Sequence, residues 1–258
     1  MRKKRAKRVF VIRRKYLAAV ALVLAASSIF YLVYHPSFAR DNANSRSVPI
    51  YSVLRDDPVI SLSFNLSAAN DAHTHYVMNI LNAKGVQATF FVTGQWLREN
   101  ETLASALFAA GHELMNLTDD HTPLRGLSTD AVRESLRSCS GLIAGITGSA
   151  PSLFRAPYGS YDTHLVALAQ SLGMHTVQWS VDSGDWRGIS PEAIVRNVTQ
   201  RAVPGGIVLM HSNLEQTATA LPHVIRALLD SGFEIVPVSE LVLEGEFVIS
   251  LTGRQIPA

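Results

Sequence analysis

Residues 206–211 read G-I-V-L-M-H, an apolar, β-prone run that ends in a polar residue. The stretch that follows, L-P-H-V-I-R-A-L-L-D-S-G at 221–232, has apolar residues at helical spacing and ends in Gly232, where a helix C-cap is expected. A strand followed by an amphipathic helix is the repeating unit of a parallel sheet covered by helices. The fold class therefore depends on how many such units the chain contains.

Six other apolar runs have the same character, and helical patterns lie between them. The runs are V-I-S-L-S-F at 59–64, A-T-F-F-V-T-G at 88–94, H-E-L-M-N-L at 112–117, S-L-F-R-A-P at 152–157, H-T-V-Q-W-S-V at 175–181 and F-E-I-V-P-V at 233–238. Gly85, Gly111 and Gly173 also stand where helices are expected to end. About seven βα units favour an α/β fold closed into a (β/α)7 barrel, and the alternative is an open, doubly wound sheet.

Charge is distributed unevenly along the 258 residues, although the formal net charge is only +2. Nine of the 23 basic residues precede residue 16, so 14 basic residues accompany 21 acidic ones in the rest of the chain. The body of the protein is therefore acidic, and no nucleic-acid partner is predicted. A neutral glycan suits an acidic surface better than a polyanionic polymer does.

The segment after the basic residues, Tyr16 to Tyr34, contains no charged residue. At about 1.5 Å per residue, a helix of this length nearly spans a hydrocarbon core of roughly 30 Å. Basic residues in front of such a helix are typical of a cytoplasmic tail, which places the acidic body outside the cell membrane. A cleaved signal peptide is the alternative, because Ser37-Phe38-Ala39 resembles a cleavage site.

These observations predict four regions. We expect a basic cytoplasmic tail at 1–15, a single transmembrane anchor at 16–34, a linker at 35–49 and one extracytoplasmic domain at 50–258. Within that domain, the lone Cys139 excludes an intramolecular disulfide and a cysteine-based zinc site. The chain also has no G-x-S-x-G motif and no Gly-rich phosphate loop, so neither a serine hydrolase nor a nucleotide-binding enzyme is predicted.

Polar side chains follow the predicted strands, at the face where the carboxyl ends of parallel strands gather. In chain order they are Asn65 after the first run, Asn116, Asp119, Asp120 and His121 after the third, Arg155 and Tyr158 after the fourth, Asp182, Asp185 and Trp186 after the fifth, His211 after the sixth, and Ser239 and Glu240 after the seventh. We expect the functional site at this face. His112 and His175 are expected to be structural instead, and His164 and His223 to lie on helix surfaces.

Several longer motifs resemble the NodB-type polysaccharide deacetylases, in particular the PdaB-like branch of spore-forming bacteria. In chain order they are A-T-F-F-V-T-G-Q-W, F-R-A-P-Y-G-S-Y-D, W-S-V-D-S-G-D-W and G-G-I-V-L-M-H-S followed by T-A-T-A-L-P, and the resemblance covers residues 50–243. It implies a distorted (β/α)7 barrel, a role in sporulation, and hydrolysis of N-acetyl or O-acetyl groups on sugars of chitin-like polymers or peptidoglycan. It also implies a divalent metal, often zinc, that polarises the acetyl carbonyl and activates a water.

The resemblance assigns roles to residues that match the family motifs. His211 stands at the position of the general acid, Asp185 at that of the carboxylate holding it, and Arg155 at that of the arginine orienting the catalytic base. The backbone amide of Tyr158 would help to stabilise the oxyanion, and Trp186 would line the acetyl pocket. Pro157 is the third residue that the resemblance implies for substrate binding.

The base and metal half of the site departs from the family pattern. Asn65 stands at the general-base position, and a neutral amide cannot accept a proton near pH 7. Leu66 follows it where active relatives have a second aspartate. Leu117 replaces the first of two histidine ligands, so His121 remains as the metal ligand, with Asp120 as a weaker candidate. Other groups could supply a displaced base or ligand, and they are Asp71, His73, His75 and Asp119.

Three hypotheses stay open. The chain is a membrane-anchored deacetylase of cell-wall glycan, with an impaired or rearranged site. Alternatively, it is a pseudoenzyme that binds glycan or an envelope partner without turnover, or a structural protein of the envelope. Aromatic side chains expected around the mouth of the site could stack on sugar rings, and they are Trp96, Tyr158, Tyr161 and Trp186.

Overall fold

The computed structural model describes residues 47–67 and 72–258. The predicted tail, the predicted membrane anchor and most of the predicted linker lie outside the described residues, as does Asp71. Within the described ranges, no helix combines the length and the apolarity needed to cross a membrane. The described residues correspond to the domain predicted at 50–258.

Eleven strands form one sheet in the described part of the chain, and we number them in chain order. They are β1 (Ser52–Val53), β2 (Val59–Leu66), β3 (Thr89–Val92), β4 (Glu113–Asn116), β5 (Leu153–Phe154), β6 (His175–Thr176), β7 (Val181–Asp182), β8 (Gly206–His211), β9 (Glu234–Ile235), β10 (Phe247–Ile249) and β11 (Arg254–Pro257). Hydrogen bonds join them in the order β10-β11-β1-β8-β2-β3-β4-β5-β6, with β7 also on β8 and β9 also on β2. The run from β8 to β6 is parallel, so the carboxyl ends of these strands point the same way.

Helices connect the strands within the same ranges. They are α1 (Thr74–Lys84), α2 (Gly94–Glu99), α3 (Glu101–Ala109), α4 (Thr129–Thr147), α5 (Thr163–Ser171), α6 (Pro191–Thr199), α7 (Glu215–Asp230) and α8 (Val238–Leu241), with short 3-10 turns at Pro157–Gly159 and Asp185–Arg187. Helix α4 illustrates how the sequence sets helix ends. The Ser128 side chain accepts a hydrogen bond from the N–H of Ala131 in the first turn, and Gly148 adopts the left-handed C-cap conformation.

All seven predicted apolar runs contain strands, and the α/β class is confirmed. The sheet curls into a half-barrel. The fifth run is not one strand, because β6 pairs with β5 whereas β7 crosses over to pair with β8. The strands β1, β10 and β11, which extend the sheet beyond β8, have no counterpart among the predicted runs.

Strand β2 shows how the sequence divides the two faces of the sheet. Its side chains alternate, so Leu62 and Phe64 pack in an apolar layer that includes residues of the helices. Ser63 and Asn65 point to the opposite face, where both contact Arg155. This opposite face is the interior of the curled sheet. The polar positions of β2 are therefore interior positions that a functional site can use.

Trp96 does not lie at the mouth of the site, so that prediction is wrong. Its side chain is fully buried in the apolar layer beneath α2, because the first turn of α2 faces the sheet. Tyr161 is partly buried against a separate apolar cluster. Of the four predicted aromatics, Tyr158 and Trp186 are the exposed ones, at 69% and 56%.

Ser239 and Glu240 do not lie at the carboxyl ends of the strands, which corrects a further prediction. Ser239 hydrogen-bonds the carboxylate of Glu113, the first residue of β4, so this segment lies at the amino ends. The seventh run forms only the two-residue strand β9, because Pro237 has no N–H to continue a ladder and α8 begins at the next residue.

His112 is a buried structural residue, as predicted. Its Nδ1 accepts a hydrogen bond from the backbone N–H of Ala88 at 3.3 Å, and its ring packs edge-on against Phe90. Burial lowers the pKa of the His112 imidazole to about 4. The folded chain therefore keeps this imidazole neutral at pH values where the unfolded chain protonates it.

This depressed pKa makes stability depend on pH. Between pH 6.5 and 4, we expect His112 to lower the free energy of unfolding by about 3 kcal/mol, because protons then bind the unfolded state in preference. The variant His112→Asn keeps an acceptor for Ala88 and cannot be protonated, so it should remove this part of the pH dependence. Urea unfolding at several pH values measures the difference, with His164→Asn on the exposed side of α5 as the control. An equally steep loss of stability in His112→Asn and wild type would contradict the assignment.

Candidate functional site

The candidate site lies where β2 and β8 end side by side. Asn65 and His211 are register partners in this parallel pair, and Phe91 of β3 is the partner of Asn65 on the other side. Strand β8 is buried and apolar up to Met210, so His211 is its first polar side chain. The curl of the sheet brings Arg155, which follows β5, to the same place. The structure thus brings together the predicted residues from three strand ends.

Asp185 and His211 form a hydrogen-bonded pair. The Nδ1 of His211 lies 2.8 Å from Oδ1 of Asp185. The Asp185 side chain is fully buried, whereas that of His211 is 22% exposed. Because the carboxylate occupies Nδ1, the Nε2 of His211 is the nitrogen left to face the open side of the site.

Asp185 receives three further hydrogen bonds. The backbone N–H of His211 and the hydroxyl of Thr217 donate to Oδ2 at 2.6 and 2.7 Å, and the backbone N–H of Trp186 donates to Oδ1 at 2.8 Å. Burial acts to raise the pKa of the Asp185 carboxyl, but the bonds from His211 and the other donors outweigh it and lower the pKa below its ordinary value. Asp185 is therefore ionised and fixes the orientation of His211.

Arg155 lies at the centre of the other half of the site. Its guanidinium is fully buried and donates from Nη1 to Oδ1 of Asn65 at 3.0 Å. From Nη2 it donates to the hydroxyl of Ser63 at 2.8 Å and to the carbonyl oxygen of Gln178 at 3.2 Å. The guanidinium carbon lies 3.9 Å from the ring centroid of Phe91. Arg155 thus contacts position 65 as predicted, through an amide in place of a carboxylate.

No carboxylate among the described residues neutralises Arg155. Its hydrogen-bond acceptors are all neutral, and its Nε has no partner in the same ranges. Burial lowers the pKa of the guanidinium to about 9. Dipoles and an aromatic face stabilise this buried charge less than a bidentate carboxylate would.

The loop after β4 carries the predicted metal position. Its first residue, Leu117, is fully buried in an apolar cluster that includes Phe91. Thr118 and His121 have positive φ angles of 73° and 61°, which residues with a Cβ rarely adopt. The Asn116 side chain accepts the N–H of Thr118, and the Thr118 hydroxyl accepts the N–H of His121. Strained backbone held in this way gathers at functional sites.

His121 packs against Tyr158 at the rim of the site. The two ring centroids are 4.6 Å apart, and Tyr158 also has a positive φ, 57°. Burial lowers the pKa of the His121 imidazole, and the nearby His211 lowers it further. The Nε2 of His121 is buried with no hydrogen-bond partner in the described part of the chain. His121 therefore has an unused ring nitrogen close to His211.

The carboxylates of the same loop do not join His121 as ligands. Asp119 accepts two hydrogen bonds from Arg98, at 2.7 and 3.0 Å, and is held between α2 and α4. Asp120 is exposed, and its carboxylate accepts a backbone N–H within its own loop. His75 is also exposed and stacks on a neighbouring aromatic ring of α1. The predicted grouping of these residues around a metal is not observed.

The residues that the structure describes do not fit the divalent metal that the resemblance implies. A catalytic zinc site needs three protein ligands, drawn from His, Cys, Asp and Glu. Within residues 47–67 and 72–258, no group of three such residues could hold a metal ion. Asn65 offers an amide and Leu117 an apolar side chain, so His121 is left with no companion ligand from the positions that the resemblance implies.

Two aromatic rings of the site are exposed, Trp186, which follows Asp185 directly, and Tyr158, which packs against His121. The Trp186 ring has the Arg187 guanidinium 4.6 Å from its centroid, and its backbone N–H is bound to Asp185. Pro157 is buried and begins the 3-10 turn that carries Tyr158. Both flat rings are available to stack on a sugar.

Chemically, the described residues keep an imidazole that can carry a proton, and position 65 holds no proton acceptor. His211, held by an ionised Asp185, can carry and give a proton. Asn65 cannot accept one near neutral pH, and it stands at the position that the resemblance gives to the base. Position 65 therefore supplies no base that could activate a water.

Two contacts of the site were not predicted. Ser63, which accepts from Arg155, stands two residues before Asn65, so the period of two in a strand would have placed both on one face. Thr217, which donates to Asp185, comes from the first turns of α7. The sequence gives no local signal for this contact, because it depends on how α7 packs over the end of β8.

Comparisons with known proteins agree with this fold. The family model described as Polysaccharide deacetylase matches residues 53–177. A chitooligosaccharide deacetylase from Bradyrhizobium sp. is 31% identical over 215 residues, which cover 75% of this chain and 98% of the relative. The uncharacterized protein YlxY of Bacillus subtilis is 31% identical, and the peptidoglycan-N-acetylglucosamine deacetylase PgdA of Listeria monocytogenes is 30% identical. These matches cover 76% and 77% of this chain but 61% and 42% of the two relatives, so the chain spans less than two thirds of their length.

Solved structures extend the similarity to the fold. BA3943 from Bacillus anthracis, a CE4 family pseudoenzyme, has a TM-score of 0.73 and 30% identity, covering 77% of this chain and 70% of that chain. A BA3943 mutant with restored enzymatic activity matches with the same TM-score and identity. Because sequence and fold both agree, this chain belongs to the polysaccharide deacetylase family.

Proposed function

We propose that this chain binds an acetylated cell-wall glycan and does not hydrolyse it by the metal-dependent route of its family. The observation that carries the proposal is the hydrogen bond from Arg155 to Asn65, because the proton-acceptor position holds an amide locked by an arginine. Buried Leu117 removes a metal ligand from the same site. The groove is kept and turnover is lost.

The relatives support this choice of ligand. Two of them are named as deacetylases of chitooligosaccharide and of peptidoglycan N-acetylglucosamine, and we extend these names to an acetylated glucosamine polymer as the ligand of this chain. A pseudoenzyme of the same fold, and a mutant of it with restored activity, support a groove that remains intact without turnover. Hydrolysis through a rearranged site is the competing function.

Acetate release tests the absence of turnover. The purified chain is incubated with chitooligosaccharide and with peptidoglycan, in the presence of zinc, cobalt or a chelator. We expect no release above that of the His211→Ala variant. Zinc-dependent release that His211→Ala abolishes would overturn the proposal and direct attention to a displaced base, for which Asp71 is a candidate outside the described residues.

Glycan binding depends in this proposal on the two exposed rings. Trp186→Ala and Tyr158→Ala should each weaken chitooligosaccharide binding by about tenfold, or about 1.4 kcal/mol, because each removes one stacking surface. Isothermal titration calorimetry measures the affinities. Leu251→Ala is the matched control, since Leu251 is 80% exposed and lies in the turn between β10 and β11. Affinities unchanged in all three variants would place the glycan elsewhere on the protein.

We further propose that residues 16–34 anchor the chain in the cell membrane with the domain outside. The support is the uncharged segment behind a basic tail, both outside the described residues. Protease added to intact cells should then degrade the domain while the tail stays protected. A domain released into the medium, cut near residue 39, would favour a cleaved signal peptide instead.

A further inference from the structure

We infer that Arg187 and Asp182 hold the ring of Trp186 in one orientation, so that a single face of the indole is kept ready for an N-acetylated sugar. Both are positioning residues, because they act on the sugar through Trp186. The inference deepens the proposed function and rests on it, since the glycan is the ligand of that function. Three observations carry it: a cation on one face of the ring, a carboxylate at the edge of the ring, and a backbone turn held by hydrogen bonds.

The guanidinium of Arg187 covers one face of the Trp186 ring. Its carbon lies 4.6 Å from the ring centroid, within the range of a cation–π interaction. Trp186 is nevertheless 56% exposed. Because one face is taken by Arg187, the exposed surface lies mainly on the opposite face and the outer edge of the ring. A sugar that stacks on this ring therefore has one face to use.

The carboxylate of Asp182, at the end of β7, fixes the edge of the same ring. Its Oδ2 lies 3.4 Å from Nε1 of Trp186, which donates to it, and 3.9 Å from Nη2 of Arg187. Its Oδ1 accepts the backbone N–H of Gly184 at 2.8 Å, which limits rotation of the carboxylate. One anion thus holds both the indole N–H and the cation that covers the ring.

The backbone that carries the ring is also held in place. The N–H of Trp186 donates to Oδ1 of Asp185 at 2.8 Å, and the same oxygen lies 2.8 Å from Nδ1 of His211. Gly184 has a left-handed φ of 74° at the start of the 3-10 turn. The N–H of Arg187 donates to the carbonyl oxygen of Gly184 at 3.1 Å and closes the turn. The position of the ring is therefore tied to the Asp185–His211 pair.

Ordering the ring in advance favours glycan binding. A free side chain loses rotational freedom when a ligand immobilises it, and this loss weakens binding by about two- to tenfold for one side chain. When Arg187 and Asp182 order the ring before the glycan arrives, that loss is avoided. Arg187 is exposed, and exposed ion pairs contribute little to the stability of a fold. Orientation of the ring therefore explains this arrangement better than stabilisation of the domain does.

Arg187→Ala should weaken the binding of chitooligosaccharide by about two- to fivefold, which is less than the loss expected for Trp186→Ala. Titration calorimetry of the full chain measures the affinities. Arg201→Ala is the matched control, because Arg201 is an exposed arginine just after α6 and its removal changes the net charge equally. An affinity of Arg187→Ala equal to that of wild type would overturn the inference.

A double-mutant cycle separates positioning of the ring from direct contact with the glycan. In the Trp186→Ala background, Arg187→Ala should cause no further loss of affinity, because the ring that Arg187 holds is gone. An equal loss in both backgrounds would mean that Arg187 contacts the glycan itself, and the inference would be wrong.

The indole N–H signal of Trp186 in NMR spectra gives a readout that needs no glycan. The chain has three tryptophans, so Trp186→Phe identifies the signal by its loss. Asp182→Ala removes the acceptor of this N–H, and it should shift the signal and speed exchange of this proton with water. The signal of the buried Trp96 should stay unchanged. An unshifted Trp186 signal in Asp182→Ala would show that Asp182 does not hold the ring.

The outcomes distinguish this inference from the proposed function. Chitooligosaccharide binding that Trp186→Ala weakens and Arg187→Ala does not would overturn the inference and leave the proposed function standing. Absence of any binding of chitooligosaccharide or peptidoglycan by the wild-type chain would overturn both.

Discussion

Restoring two side chains should return metal-dependent deacetylation to this chain. In the double variant Asn65→Asp with Leu117→His, we expect zinc-dependent acetate release at least about 100-fold above wild type, because general acid–base assistance alone contributes roughly 10² to 10⁴-fold. The new carboxylate would accept from Arg155, whose Nη1 already donates to this position at 3.0 Å. His211 and Asp185 supply the proton donor without further change. Release from chitooligosaccharide at high zinc concentration measures the gain.

Neither single substitution should reproduce the gain. The base and the metal act on the same water, so their contributions are not additive and the loss of either one removes most of the rate. Leu66, at the position of the second family aspartate, packs in the apolar layer that includes residues of the helices. A carboxylate there would be buried among apolar groups, so the test leaves it unchanged. Two histidine ligands bind zinc weakly, which is why the assay needs a high zinc concentration.

The control for this gain is the triple variant that adds His211→Ala, which should remove the restored activity. Histidine at position 117 lowers stability, because Leu117 is fully buried and the imidazole would lose water contacts. Circular dichroism and zinc binding therefore accompany the assay. A folded double variant that binds zinc but releases no acetate would mean that the groove itself has diverged.

The fold was predictable from the sequence where the pattern is local. The apolar runs and their glycine-terminated helices identify the parallel strands, and the period of two in β2 separates the helix-facing residues from Ser63 and Asn65. The break between β6 and β7 was not predictable, because their partners are chosen by the curl of the sheet and residues 175–181 carry no turn signal. The length of strand β9 was overestimated. The sequence does contain the reason for its early end, which is Pro237.

The site was predictable as a set of strand ends and less so as a set of contacts. Asn65, Arg155, Asp185 and His211 meet as expected. Asp119 was predicted near the site because it is close to His121 in the sequence. Its carboxylate instead accepts two hydrogen bonds from Arg98, which lies 21 positions away. No local sequence pattern indicates such long-range partners. The same holds for left-handed backbone at residues with a Cβ, so the structure is needed to find both.

Removing the charge of Asp185 should be among the most destabilising changes to the described domain. We expect Asp185→Asn to lower the free energy of unfolding by about 3–5 kcal/mol, because four donors converge on two buried carboxylate oxygens and an amide has only one oxygen to offer. The melting temperature should fall by roughly 10 °C. Differential scanning calorimetry and urea unfolding measure the loss.

The pH dependence of the free energy of unfolding distinguishes this loss of charge from a loss of packing. The pKa of the Asp185 carboxyl is lower in the folded chain than in the unfolded chain, so folding favours its ionised form. The resulting stability is present above the unfolded pKa, roughly 4, and is lost as the pH falls through the folded value. Asp185→Asn should therefore lose less stability than wild type on acidification.

Graded and exposed substitutions separate the hydrogen-bond network from general damage to the fold. Thr217→Val removes one of the four donors and should cost about 1–3 kcal/mol, which keeps the variant folded if Asp185→Asn is not. Asp130→Asn removes an equal charge from a side chain that is 92% exposed and should leave the unfolding curve unchanged. If Thr217→Val unfolds at the same urea concentration as wild type and retains its acid sensitivity, the stability of this half of the site comes from apolar packing and not from the hydrogen bonds of the buried carboxylate.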